Sequence, residues 1–304
     1  MQSSGISSPA TSSNPVSDGP TPDRFALTGR STPIDARRDA ARRDLADVRL
    51  ASRVFAPHYA AAVYRTLSRS APLRDGTGAE APILSEVLCG EGFELLELVG
   101  DQAWGIAQVD RSVGYIPADA LQDPIAATHI VIQPNAHVNA ADGSVIHTLP
   151  MGARVAAEIN GAQAMLQDGG VMESKALTSL TGKRSGDYVA VAESLVGISG
   201  KTGGRSGEGV NCTGLVFLAL EIAGISAPRF CDVQAAELGI PLEEGTALQR
   251  GDLIFFANHV VMLTDSDHVI HAVADSLPVT IESIDAVIGS GRFGPVVAQR
   301  RIGA

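Results

Sequence analysis

Cysteine is scarce in this chain: there are three in 304 residues, Cys89, Cys212 and Cys231. An odd, sparse set excludes a disulfide framework and suits a reducing compartment. Positive charge is also in deficit. Lys and Arg number 23 against 34 Asp and Glu, a formal net charge of −11. No basic stripe offsets that balance, so nucleic acid is excluded as a general partner. No apolar run approaches the ~20 residues that span a bilayer, so no membrane partner is expected. The opening MQSSGISSPATSSNPVSDGP has neither a basic n-region nor an apolar h-region, so no signal peptide is expected. These absences together read as a soluble, cytoplasmic protein. GKTGGRSGEGV lacks the Gly-x-x-x-x-Gly-Lys-Ser/Thr order and follows no strand, so it is not a phosphate-binding loop. Cys212, Cys231, His259 and His271 match no short metal-ligand spacing. No metal and no cofactor is expected.

A length of 304 residues allows two or three domains, and 45% hydrophobic with 19% charged residues can bury an ordinary core. Residues 1–30 are rich in Ser, Pro, Gly and Thr, which predicts a disordered tail. Residues 31–63 carry DARRDAARRDLADVRL and read as a helical arm. Asp39, Asp44 and Asp47 interleave with its arginines, so it reads as a solvated face rather than a basic binding patch. Over 64–124 the pattern changes to short strands with turns: SEVLCG, FELLELVG, WGIAQVD and VGYIP. Short strands at this spacing predict a small barrel. Residues 125–183 repeat that character, as a diverged copy would.

From residue 184 onward the signals are mixed, and the arrangement is α+β. DYVAVAESLVGI predicts an amphipathic helix with Val189, Ala192, Leu195 and Val196 on one face. The Gly-rich loop follows, then a second helix in VNCTGLVFLALEIAGI, with Leu215, Val216, Ala219, Ile222 and Ala223 on one face. Asn211 and Thr213 are candidate N-caps and Gly224 a stop signal. SAPRFCDVQAAELG reads as a loop. Three apolar runs at 252–256, 259–263 and 268–273 read as antiparallel strands, the last two joined by an Asp265-Ser266-Asp267 turn.

The helix start puts Cys212 where free N–H groups and the helix dipole favour a thiolate. A thiol becomes a useful nucleophile when a base is in reach and a third group orients that base. In the hairpin, positions summing to about 530 lie opposite each other, which sets His259 across from His271. A buried cysteine or a strand histidine taken singly is most often structural. The joint arrangement points to catalysis.

Residues 187–304 resemble the NlpC-type cell-wall cysteine peptidases, a papain-like family. The resemblance rests on GGR at 203–205, NCTGLV at 211–216, GDLIFF at 251–256, HVV at 259–261 and IHA at 270–272. It implies Cys212 as nucleophile, His259 as general base and His271 as the orienting group. The two strand-rich regions resemble the bacterial SH3-like domains of one subgroup, through APLRD at 71–75, AW at 103–104 and VGYIPADAL at 113–121. APR at 227–229 with Gln234 resembles that subgroup's Pro-Arg-Asp-Ser-x-x-Gln loop. The subgroup's resemblance to γ-D-glutamyl-L-diamino-acid endopeptidases implies a peptidoglycan-derived peptide as substrate. It also implies substrate-binding roles for Asn211, Thr213, Tyr115, Arg229 and Cys231.

The chain departs from the pattern where substrate is read. Asn211 replaces an acid that holds the substrate amine, Thr213 replaces Ser, and Phe230-Cys231 replaces Asp-Ser. Ser199-Gly200 replaces Pro-Tyr, which would vacate volume near Gly200; Thr202 replaces Trp, and Val261 replaces Gly. The reading is a cysteine peptidase or amidase with altered amine recognition. Its rivals are a catalytically weakened protein that binds wall peptides and a Cys/His acyltransferase. Nothing in the sequence indicates an oligomeric state.

Overall fold

The arginine-rich arm alternates charge without an apolar stripe, and it forms no α-helix. In the computed structural model, which describes residues 33–182, 184 and 186–303, Leu45–Asp47 is a strand paired in parallel with His58–Ala60. Val48–Leu50 adds one 3-10 turn. The expected helix gives way because the arginines find acids elsewhere in the chain. Arg37 pairs with Asp232 at 2.7 Å, Arg38 with Glu237 at 2.7 Å, and Arg42 with Glu97. The arm is an ion-paired strap rather than a solvated face. The expected tail at 1–30 lies outside the described residues. Residues Ile34–Ala304 form one unit.

Strands Val63–Leu67, Ala71–Arg74, Ile83–Val87, Gly92–Val99, Gln102–Ala107, Val113–Pro117 and Leu121–Gln122 pair antiparallel in one seven-stranded sheet. Alternate residues bury Leu67, Leu73, Val87, Phe93 and Ile116. The second strand-rich region makes a three-stranded and a five-stranded sheet around Val138, Leu149 and Met172. The two regions end in similar elements, and each sheet is open. Val113–Pro117, a 3-10 turn and Leu121–Gln122 in the first correspond to Val171–Glu173, a 3-10 turn and Leu177–Ser179 in the second. In each, the last strand returns to pair with the first, through Thr66 opposite Gln122 and Ile130 opposite Thr178.

Among its described residues the C-terminal region holds four helices, a two-stranded ladder of Arg205–Ser206 with Gly209–Val210, and a six-stranded sheet. The helices are α1 (Tyr188–Glu193), α2 (Cys212–Ile222), α3 (Cys231–Glu237) and α4 (Ile284–Gly289). The strands are β1 (Ile240–Pro241), β2 (Leu253–Phe256), β3 (His259–Leu263), β4 (His268–Val273), β5 (Leu277–Ser283) and β6 (Val296–Arg301). They pair antiparallel in the order β1-β6-β2-β3-β4-β5. Asp187 caps α1 through the N–H groups of Val189 and Ala190. Val189, Ala192 and Leu195 are buried as expected, but Val196, past the helix end, is 51% exposed. The loop expected before β1 contains α3, whose Gln234 donates to Thr213 O at 3.1 Å and Pro228 O at 2.9 Å. Helix α2 is not amphipathic. All eleven of its residues are buried, because it is surrounded rather than laid on a surface.

The β3–β4 hairpin is shifted by two positions from the sequence-based register. Met262 faces Ile270 and Leu263 faces Val269, so His271 comes opposite Val261 rather than His259. The turn is wider than expected because Asp265 Oδ1 accepts from the N–H groups of Asp267 and His268, both at 2.8 Å. His259 and Val261 share a face, so the two histidines remain diagonal neighbours.

The three regions meet at a buried ion cluster. Arg205 is fully buried just before α2. It donates to both oxygens of Glu91, to Glu86 O at 2.8 Å from Nε, and to Glu86 Oε2 at 2.9 Å from its backbone N–H. Asp110 lies 3.4 Å from its Nε, and Glu221 accepts from Arg154 at 2.7 Å. Breaking a buried pair by removing one partner costs about 3–5 kcal/mol, because the other charge is left uncompensated. Arg205→Met should therefore lower the unfolding free energy by about that much in urea titrations. Combining it with Glu91→Leu should cost less than the sum of the single changes. Strict additivity would show that the pair is not coupled.

Candidate active site

Cys212 opens α2, and Asn211 is its cap. Asn211 Oδ1 accepts from Gly214 N at 2.8 Å and from Thr213 Oγ1 at 3.1 Å. Asparagine does this well because its short side chain folds back onto the first turn. Gly214 has no substitute there. A Cβ at that position would run into Gly204 O, so only glycine lets the first turn of α2 lie on the Gly203–Gly204 backbone. The helix ends at Gly224, φ +82°.

Cys212 is only 8% exposed. Burial pushes its thiol above the ordinary value; the N–H groups of Val260 and Thr213 and the charge of Arg229 oppose this without prevailing. At rest Cys212 is a thiol. The sulfur faces the N–H of Val260, the residue that follows His259.

His259 opens β3. Its Nε2 lies 2.9 Å from His271 Nδ1, and His271 Nε2 lies 2.7 Å from Glu282 Oε2. Arg292 donates to the same Glu282 oxygen. Phe293 stacks on His259, with ring centroids 3.8 Å apart and planes inclined by 6°. Burial, then the neighbouring His271 and Arg292, pull His259 down to about 3. Burial also lowers His271, against Glu282, which raises it. Both rings are thus neutral near pH 7. Against its own burial, hydrogen bonds from Arg292 and His271 keep Glu282 below the usual carboxylate range.

Arg229 is buried beside the cysteine. It donates to Ser85 Oγ at 3.0 Å, Thr213 Oγ1 at 2.6 Å, Gly203 O at 2.9 Å and Asn211 Oδ1 at 3.2 Å. All four acceptors are neutral. Among the described residues no carboxylate pairs directly with this guanidinium; Asp110 reaches it only through Ser85, at 2.6 Å. Burial lowers Arg229 to about 10, which leaves it charged at neutral pH.

The structure thus gathers Asn211, Thr213 and Arg229 around Cys212, and His259 with His271, and joins the two groups through the Val260 N–H. Cys231 opens α3, half-buried, and burial with its neighbours Cys212 and Asp232 pushes its thiol up to about 12. Tyr115 is tied to the arm: its hydroxyl accepts from Arg42 at 2.9 Å. The volume expected near Gly200 does not exist. A side chain there would strike Val273 O and Leu277 O, because the segment lies directly on the β4–β5 turn. Glu282, Arg292 and Phe293 escaped sequence reading. Glu282 had a faint signal: Thr280 pairs with His271, and two residues on returns to the same face. Arg292 and Phe293 sit in a loop with no periodicity.

A cysteine at a helix start, with two bonded histidines and a carboxylate on the adjoining strands, is the set of groups that a cysteine-type peptidase uses. Residues 201–293 match the NlpC/P60 family. The chain is similar to dipeptidyl-peptidase 6 of Lysinibacillus sphaericus, 25% identical over 189 residues. That match covers 59% of this chain and 66% of the relative, just under two thirds of its length. An NlpC/P60 family protein from Bacillus cereus ATCC 10987 shares the fold, with a TM-score of 0.68 at 17% identity over 79% of this chain and 99% of that one. So does an NlpC/P60 endopeptidase from Photobacterium damselae subsp. piscicida, at 0.57 and 12% over 77% and 70%. Among the described residues no helix is long and apolar enough to cross a membrane.

A buried neutral thiol and a buried neutral imidazole each give a characteristic pH response. Alkylation of Cys212 by iodoacetamide should be slow at pH 7 and rise in one step above the ~8.5 of a free thiol. Saturation well below pH 8 would contradict the resting thiol. Because His259 stays unprotonated down to about pH 3, kcat/KM should not fall with a step at the ordinary histidine value of ~6.5.

Proposed function

We propose that the protein hydrolyses peptidoglycan-derived peptides at a γ-D-glutamyl–diamino-acid bond, with Cys212, His259 and His271 as its triad. The carrying observation is the line of contacts from the Cys212 sulfur past the Val260 N–H to the bonded histidine pair. His259 Nδ1 has no protein partner among the described residues and is the free base of that pair.

As the sulfur attacks the carbonyl carbon, His259 Nδ1 takes the thiol proton. Transfer accompanies attack, since both groups rest neutral. The N–H of Cys212 at the start of α2 stabilises the oxyanion. The tetrahedral species collapses to a thioester, and the leaving amine takes the proton from His259. Water then attacks the thioester with His259 again as base, and the thiol is regenerated. His271 holds the imidazole in register through its 2.9 Å contact.

In this reading, residues 64–124 and 125–183 are SH3-like domains that wall one end of the groove, with Tyr115 and Cys231 as outlying substrate contacts. The enzyme works in the cytoplasm on released fragments. The acyl side of the site favours a neutral substrate end. Asn211 Oδ1 is already taken by Gly214, Thr213 and Arg229, so its amide N–H groups are what remain to offer. Beside them stands the Arg229 cation. Donors suit the carbonyl of an N-acylated peptide and repel an ammonium.

The test compares L-Ala-γ-D-Glu-diaminopimelate with its N-acetylated analogue. The acetylated peptide should be cleaved at least as well, and Cys212→Ala should abolish cleavage of both. Asn211→Asp should shift the ratio toward the free amine by about tenfold, or ~1.4 kcal/mol. A strong native preference for the free amine would overturn this substrate assignment. The low exposure of Cys212 favours one other reading, a binder of wall peptides; binding of either peptide without turnover would establish it.

A further inference from the structure

We propose that Glu282 is a positioning residue that sets the tautomer of His259 from two rings away. The proposal rests on His259 as general base. Neutral imidazole carries one N–H and one bare nitrogen. A carboxylate only accepts, so the 2.7 Å contact with Glu282 requires the proton of His271 on Nε2. His271 Nδ1 is then bare and, at 2.9 Å, must accept from His259 Nε2–H. That leaves His259 Nδ1 bare, which is the nitrogen without a protein partner and the one a general base needs.

Without an acceptor at position 282 the order can reverse. His271 would donate from Nδ1, and His259 would carry its proton on Nδ1, where it cannot accept one. A triad locked in the wrong tautomer loses turnover while its geometry survives.

The surroundings hold Glu282 to this task. His271 pairs with Thr280 across β4 and β5, and Glu282 lies two residues on, so both side chains share a face. Arg292 donates to the same Glu282 oxygen that faces His271 and keeps the carboxylate ionised. The Arg292 guanidinium lies 4.8 Å over the Phe293 ring, and Phe293 stacks on His259. The contacts close into a ring of five residues. One end fixes the protons and the other fixes the plane of the base.

The experiment has two readouts. Side-chain 15N–1H correlation spectra of the wild-type protein should show both His259 and His271 as Nε2–H tautomers. Glu282→Met, which fills the space without an acceptor, should lower kcat on the order of tenfold or more, with KM within about twofold. Its spectra should show His259 with an Nδ1–H population. Glu282→Gln should restore most of kcat, because Arg292 holds the amide oxygen in the accepting position. A wild-type Nδ1–H tautomer at His259 overturns the proposal whether or not any variant folds. So does a Glu282→Met protein with unchanged tautomers and unchanged kcat. If the tautomers respond as described while wild type hydrolyses no wall peptide, Glu282 keeps its role and the proposed substrate falls.

Discussion

Arg205 is the residue on which the arrangement of this protein depends. It is a fully buried cation in the segment that leads into α2, and the acids that neutralise it belong mostly to another part of the chain. A buried charge without partners would be prohibitive, so the segment can settle only where Glu91, Glu86 and Asp110 converge. That demand positions the entry to α2, and with it Cys212, against the first strand-rich region. Glu86 reinforces the hold by also taking Lys201 at 2.8 Å. The first strand-rich region is therefore a structural partner of the segment that leads to Cys212.

A second buried arginine makes the site electrically unusual. Arg229 stands beside Cys212 with only neutral acceptors in direct contact among the described residues. An acid at position 211 would have cancelled it at close range, whereas asparagine caps the helix equally well and leaves the charge in place. The cation favours negative charge developing on sulfur and oxyanion. Burial opposes it and prevails in the resting state, where the thiol keeps its proton. In the proposed mechanism the cost of charge is met only when substrate arrives, and the neutral Cys212 and His259 exchange the proton during attack.

Much of the catalytic region was legible in the sequence. The cap at Asn211, the start of α2 at Cys212 and the stop at Gly224 are local signals, and each holds. The strands 259–263 and 268–273 were readable as short apolar runs bounded by a turn signal. The hairpin register was missed by two because Asp265 binds two N–H groups and widens the turn, a choice that side-chain geometry makes. The helix expected in the arginine-rich arm failed because its charges are satisfied by Asp232, Glu237 and Glu97, far away along the chain. The eleven-residue burial of α2 was likewise hidden, since an apolar helix reads alike whether one face or every face is covered.

What the sequence alone determined was the set of candidate groups: one cysteine at a helix start and two histidines on adjacent strands. Period, capping and turn chemistry act over a few residues and can be read without knowing what lies opposite. Tertiary structure decided how those groups are tuned. Glu282 behind His271, Phe293 upon His259, Arg229 beside Cys212 and Arg205 beneath the segment that carries it are contacts between distant positions. Their effect comes from shared burial, and burial exists only once the chain has folded.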